Sequence, residues 1–167
     1  METMHKRRDK VNYYLDMAEV VGKRCTCIRK QYGAVIVKND EVISTGYVGA
    51  PRGRKNCIAI GVCRREQLKV PRGERYELCR SVHAEQNAII SASRERMLGS
   101  SLYLTGIDLQ DNGNYVEKAM PCAMCKRVII NAGIQTVYIR DTKDDYRKID
   151  VKDWIENDDS LAAAFGY

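Results

Sequence analysis

The sequence predicts an α/β domain with helices packed on both faces of a mixed sheet. Three observations predict it. Helical and β-branched segments follow one another as helix, hairpin and long loop, then strand and helix in alternation. Hydrophobic residues make up 44% of the 167 residues, enough to bury a real core. No repeat, Pro-rich linker or low-complexity tract divides the chain, so residues 1–167 are expected to form one domain, for which ~150 residues is the usual size.

Residues 11–24 place Val11, Tyr14, Leu15, Ala18 and Val21 at helical spacing, which predicts an amphipathic helix. Residues 32–37 and 41–47 are β-branched runs, and Asn39-Asp40 between them is the turn of a hairpin. Residues 48–82 hold four Gly, two Pro, many Arg and three Cys, with little periodicity. A loop that long is usually functional or held by something. A helix is predicted over 84–97 and a strand over 101–105. The polar segment 106–120 reads as a loop or short hairpin excursion. A helix over 122–131, with Gly133 as its C-cap, leads into a strand over 135–140. In the tail, 141–167, a helix over 151–164 would align Trp154, Ile155, Leu161 and Ala164.

The net charge of +6 is uneven. Residues 1–80 carry 18 Lys and Arg against 9 Asp and Glu, and residues 81–167 carry 10 against 13. The basic half points to an anionic partner, from a nucleotide phosphate to a nucleic acid. The longest apolar runs, such as Ala34–Val37, fall far short of the ~20 residues of a membrane helix. The basic start, Met1–Lys10, lacks the apolar stretch of a secretory signal. The expectation is a cytoplasmic protein without a membrane partner, its thiols reduced. Seven Cys in such a compartment point to metal ligands, and an odd count fits a disulfide framework poorly.

Two strings carry chemistry: His83-Ala84-Glu85 and Pro121-Cys122-Ala123-Met124-Cys125. A Cys-x-x-Cys pair at a helix start can aim two sulfurs at one metal, where the helix dipole favours thiolates. His83 adds a nitrogen, and three protein ligands leave the fourth tetrahedral position of a zinc ion free, the pattern of a catalytic site. Zinc lowers the pKa of a water held there to ~7. Glu85, two residues from His83, is placed to move its proton. The Cys pair alone would suit a structural zinc or buried thiols, and His83 alone a core histidine. Together, with Glu85, they match the signature of zinc nucleobase deaminases.

With these strings the chain resembles the deoxycytidylate (dCMP) deaminase family of the zinc-dependent cytidine deaminase superfamily. The resemblance runs from about residue 11 to about residue 140. It also rests on Tyr32–Val37, Ser44–Pro51, Glu85–Ile90 and Ile129–Ile134. It implies a three-layer αβα cytidine deaminase-like fold with a central mixed sheet of about five strands. It implies one catalytic Zn2+ on His83, Cys122 and Cys125, with Glu85 as the catalytic acid and base. The implied reaction converts dCMP to dUMP with release of ammonia, in a homo-oligomer, often a hexamer, with dCTP and dTTP as effectors. Cys27 and Cys57 fall where some members hold a second, structural zinc, and Cys63 and Cys79 are available to complete it, leaving Cys25 over. Substrate contacts are expected from Arg24, Arg29, Tyr47, Val48, Ala84 and Arg94, with Arg52 and Arg54 as further arginines near the site.

The chain departs from the family pattern in two places. Members usually have Gly-Tyr-Asn-Gly where this chain has Gly46-Tyr47-Val48-Gly49, and Val48 cannot make the hydrogen bond expected of that Asn. Segment 106–120 is longer than the usual link into Pro-Cys-x-x-Cys. Three other readings stay open: a deaminase of a different nucleotide or nucleoside, a tRNA-editing deaminase, and an inactive deaminase-like zinc-binding module. The 47–51 string and the Cys-rich loop look like the nucleotide branch, so nucleic acid is not the expected partner.

Overall fold

The structure, a computed structural model, describes residues 5–157. It opens with helix α1 (Lys10–Gly22), capped by Asp9, whose carboxylate accepts from the Asn12 N–H at 3.0 Å. Strands β1 (Lys30–Lys38) and β2 (Glu41–Tyr47) form the predicted antiparallel hairpin. Its turn residues Asn39 and Asp40 have φ of 51° and 62°, the left-handed pair that a tight hairpin requires.

The long loop is not structureless. It contains two single-turn helices, α2 (Cys57–Ile60) and α3 (Arg64–Gln67), and a 3-10 turn at Tyr76–Leu78. The helix predicted over 84–97 divides into α4 (Ala84–Ile90) and α5 (Arg94–Met97). Ser93 breaks it by capping α5, its hydroxyl accepting from the Arg96 N–H at 3.4 Å.

Strand β3 (Ser101–Asp108) extends three residues beyond the prediction, and β4 (Asn114–Tyr115) folds back on its end as a short hairpin. Helix α6 (Ala123–Ala132) ends at Gly133, which takes the left-handed C-cap with φ of 79°. Strand β5 (Thr136–Arg140) is followed by β6 (Tyr146–Asp150) and helix α7 (Val151–Glu156). Strand β6 was not anticipated, because it is an exposed edge whose side chains are largely polar. The tail helix is therefore shorter than 151–164, and Leu161 and Ala164 lie outside the described residues.

The sheet has six strands in the order β2-β1-β3-β5-β6, with β4 beside β3. Only the β3–β5 pair is parallel. It is the mixed sheet of the αβα expectation, with one strand more than the five or so foreseen.

Side-chain alternation divides the core. Val35, Val37, Tyr103 and Tyr138 meet Tyr14, Leu15 and Ala18 of α1 on one face. The Tyr103 and Tyr138 rings stack there, 4.9 Å apart. Ala34, Ile36, Leu102, Leu104, Val137 and Ile139 face the other way, onto Ala84 and Ala88 of α4 and Ile129 of α6. Gly46 lets α4 lie directly on β2, since a Cβ there would run into the backbone of Ala84, Asn87 and Ala88. Arg140, 1% exposed at the end of β5, ties α1 to the sheet through Asp16 at 2.7 Å and Glu19 at 2.9 Å.

Candidate metal centre and active site

Two helix N-termini converge beneath a cavity. His83 is the N-cap of α4, and its backbone N–H donates to the Gln86 side chain at 3.1 Å. Cys122 is the N-cap of α6, and Cys125 lies in the first turn of that helix, fully buried. His83 Nδ1 stands 3.5 Å from Cys122 Sγ and 3.4 Å from Cys125 Sγ. Among the described residues these three form the one cluster of His, Cys, Asp or Glu whose ligand atoms all lie within 4.8 Å of one another.

The spacing tests whether zinc fits. Tetrahedral bonds of about 2.3 Å to sulfur and about 2.05 Å to nitrogen separate the two atoms by about 3.6 Å. The observed 3.4 and 3.5 Å agree. The donor set, two sulfurs and one imidazole, suits zinc and leaves one coordination position to fill.

The electrostatics point the same way. The hydrogen bond from Cys125, with help from His83, lowers the Cys122 thiol to about 4 against the opposition of burial. Cys125 is pushed up by that same bond and by burial, so the sulfur pair holds one proton and one negative charge. Burial would pull His83 down, but its bonds to Cys122 and Cys79 outweigh it and raise the imidazole to about 10. A divalent cation would replace these protons and take both thiolates. Glu85, 5% exposed, is raised by burial against the attraction of His83. The Tyr76 ring meets His83 edge-on, with centroids 5.4 Å apart.

The cavity above the cluster holds about 350 Å³. Its floor is His83, Ala84, Glu85 and Cys122, beside Tyr32 and Val48. One wall comes from the Cys-rich loop and the other from Val116–Met120 of the insertion.

Residues 8–140 match the family model described as the cytidine and deoxycytidylate deaminase zinc-binding region. The chain belongs to the cytidine and deoxycytidylate deaminase family. Among its relatives, the deoxycytidylate deaminase of Schizosaccharomyces pombe is 35% identical over 126 residues, which is 75% of this chain and 35% of that protein. That of Mycobacterium phage D29 is 35% identical over 135 residues, which is 78% of this chain and 94% of that protein. The match thus spans about a third of the fission-yeast protein and nearly all of the phage one. The crystal structure of the cyanophage S-TIM5 dCMP deaminase is 25% identical, covers 81% of this chain and 85% of that one, and superposes with a TM-score of 0.51. A cytidine deaminase from Burkholderia pseudomallei, 17% identical over 84% of this chain and 92% of its own, shares the fold with a TM-score of 0.53.

In this deaminase-family chain the expected site residues divide. Arg29, Val48 and Ala84 line the cavity with His83, Glu85 and Cys122. Arg24, Tyr47 and Arg94 do not. Arg24 is exposed beyond the end of α1. The Tyr47 carbonyl accepts from the Asn87 side chain at 2.8 Å, and the Arg94 Nε caps α6 by donating to the Asn131 carbonyl at 2.8 Å.

The four further thiols gather but do not close into a ligand set. Cys57 is raised chiefly by burial and also feels Cys27, Cys79 and Cys63. Cys27 Sγ accepts from the Arg29 and Lys30 N–H groups at 3.4 and 3.5 Å, and Cys79 leans on His83. No three of the four sulfurs come within 4.8 Å of one another.

The cavity also holds cations that no motif announced. Lys30, Arg65, Arg72 and Lys118 line it. The signal available in sequence was only the arginine density of the loop and the unusual length of the insertion.

Proposed function

We propose that this chain catalyses the hydrolytic deamination of dCMP to dUMP, releasing ammonia. One observation carries the reading. A buried carboxylate, Glu85, stands beside a three-ligand centre with an open position, on the floor of a cavity of nucleotide scale. A closed structural zinc would give that carboxylate no work.

His83, Cys122 and Cys125 would hold the zinc, which when bound supplies a water acidic enough to attack C4 of cytosine near neutral pH. Glu85 takes the proton that this water loses and delivers it to ring N3. It then takes the proton of the new C4 hydroxyl and passes it to the amino group, which leaves as ammonia as the C4–N bond breaks and the C4 carbonyl forms. Water and dCMP become dUMP and ammonia, and Glu85 ends in its starting state. Its raised pKa suits a group that must both accept and donate in one cycle. Tyr32 and Tyr76 line the cavity beside it, the Tyr76 ring edge-on to His83.

The relatives named deoxycytidylate deaminase support the choice of substrate. A different cytosine nucleotide is the second reading. Val48 favours it, because it faces the cavity where an amide would bind sugar or phosphate. The proposal extends to a second Zn2+ on Cys27, Cys57, Cys63 and Cys79, supported by the charge interaction of Cys57 with the other three thiols. It extends also to a single domain, a homo-oligomer of hexamer type, dCTP and dTTP as effectors, and the cytoplasm as compartment. No helix of the described residues is long and apolar enough to cross a membrane.

The test is ammonia release from dCMP, CMP, dCTP, deoxycytidine and base-modified cytosine nucleotides, each with and without dCTP and dTTP. The fastest turnover is expected with dCMP. No release from any of them would end the reading. Zinc analysis of purified protein separates one ion per chain from two.

A further inference from the structure

The cavity wall is strongly cationic. It carries Arg29, Lys30, Arg65, Arg72 and Lys118 against one carboxylate, Glu85. Two of these charges are already answered. Arg29 pairs with Glu66 at 3.0 Å, and Lys30 pairs with Asp108. Arg65 is 7% exposed and donates to the Pro71 and Glu74 carbonyls at 2.9 and 2.6 Å. Its guanidinium lies 4.4 Å over the Tyr76 ring, and its Nε is buried without a partner.

Arg72 and Lys118 differ from Arg29 and Lys30, and unlike Arg65 they are exposed. Among the described residues neither has a carboxylate within ion-pair distance. They come from different segments, Arg72 from the Cys-rich loop and Lys118 from the insertion. Arg72 Nη2 reaches the Glu117 carbonyl at 3.3 Å, so the two cations sit where the loops meet. Lys118 is exposed in the turn that leads from β4 to α6. Behind them the Arg65 charge, with an unused N–H, adds to the field of a partly enclosed site.

We propose that Arg72 and Lys118 form a clamp for the 5′-phosphate of the substrate. The clamp closes the gap between the two loops and sets the preference for a nucleotide over a nucleoside. The proposal rests on the deaminase reading above. It assigns phosphate recognition to the insertion and the Cys-rich loop, and not to Arg24 and Arg94, which lie off the cavity. A guanidinium fork and an ammonium together match a dianionic phosphate, the fork by paired hydrogen bonds and the ammonium as a point charge.

The test uses the full chain with its zinc and the variants Arg72→Gln, Lys118→Gln and Lys118→Arg. The ratio of kcat/KM for dCMP to that for deoxycytidine is expected to fall about 10- to 100-fold in each Gln variant, the range of a lost charge-assisted hydrogen bond. Lys118→Arg should recover most of it. Calorimetry gives a readout independent of turnover: dUMP binding should weaken by a similar factor relative to deoxyuridine. An unchanged ratio in both Gln variants, or equal losses on nucleotide and nucleoside, would overturn the clamp while leaving deamination intact. A wild-type protein that binds dUMP through these residues but releases no ammonia from dCMP would overturn the deaminase reading instead. Both side chains are exposed at the rim, so neither variant removes core packing. Unaltered zinc content and melting temperature are the checks that the variants are folded.

Discussion

Gly46→Ala isolates the dependence of the chemistry on one backbone contact. Gly46 lies in β2 under α4, and an added Cβ would stand 2.9 Å from the Asn87 carbonyl carbon and nearer still to the Ala84 oxygen and the Ala88 nitrogen. Ordinary contact begins at 3.4 Å. All three obstructions are backbone, so no side chain can swing aside. Helix α4 must withdraw by about 0.7–1.1 Å, or β2 must bend. The strand conformation at Gly46 is open to alanine, so the cost is steric alone.

The displaced helix carries His83 at its N-cap and Glu85 in its first turn. A misplacement of that size costs up to about 100-fold in rate when reacting groups must be aligned, and overpacking costs about 1–3 kcal/mol of stability. The assay is dCMP turnover and thermal unfolding of wild type and variant, with zinc measured in both. The expected result is a kcat lower by about 10- to 100-fold with a reduced melting temperature. Activity within threefold of wild type, at unchanged stability, would refute the claim that α4 is held at contact distance by this glycine.

Three other perturbations separate the parts of the site and the fold. Glu85→Ala should keep its zinc and lose about 100- to 10,000-fold or more in turnover, the share of a general acid and base; normal turnover would remove Glu85 from the mechanism. Cys122→Ala should lose the catalytic metal, and a variant retaining full zinc occupancy would remove that sulfur from the ligand set. Asp16 lies below the ordinary carboxylate range: burial opposes the shift, but its bonds to Arg8 and Arg140 outweigh it. A depressed folded pKa means that its stabilisation is complete above the unfolded value of ~3.9 and is lost as pH falls through the folded value. Asp16→Asn should therefore flatten the acid side of the stability–pH curve below about pH 5, and a curve that parallels wild type on urea unfolding would show that the pair contributes nothing.

The His83, Cys122 and Cys125 cluster and the burial of Glu85 beside it were legible because their geometry is local. His83 and Cys122 are both N-caps, and residues two or three positions on are fixed relative to them by the helix itself. The two strings had only to be brought together, and the apolar periodicity of the elements between them specifies that. The hairpin was legible for the same reason, since Asn39 and Asp40 tolerate the left-handed backbone that their turn needs. Strand β6 was not, because pairing with β5 defines it and no hydrophobic alternation marks it. Nor was the Arg65 stack on Tyr76, which depends on how residues 64–76 turn back on themselves. Arginine positions carry little information in sequence. Arg24, Arg29 and Arg94 looked equivalent there, yet only Arg29 reaches the cavity, while Arg94 is committed to the end of α6.

This difference in legibility follows the physical division of the site. The groups assigned to the chemistry stand on helices whose other faces are buried against Ala34, Ile36, Leu102 and Leu104, where a small shift disturbs a close-packed core. The cations assigned to the phosphate stand on two loops joined by hydrogen bonds. Arg72 reaches the Glu117 carbonyl and Arg147 the Ala119 carbonyl, while the Tyr115 hydroxyl donates to Glu19, itself paired with buried Arg140. Such bonds can be re-formed after an insertion or a substitution without disturbing the core. A chain can therefore keep its metal centre while moving its phosphate contacts from one loop to another. On the clamp proposed above, a site with the His83, Glu85, Cys122 and Cys125 set and Val48 in place of the usual Asn would draw its polar recognition from the Cys-rich loop and the insertion instead of the 46–49 segment.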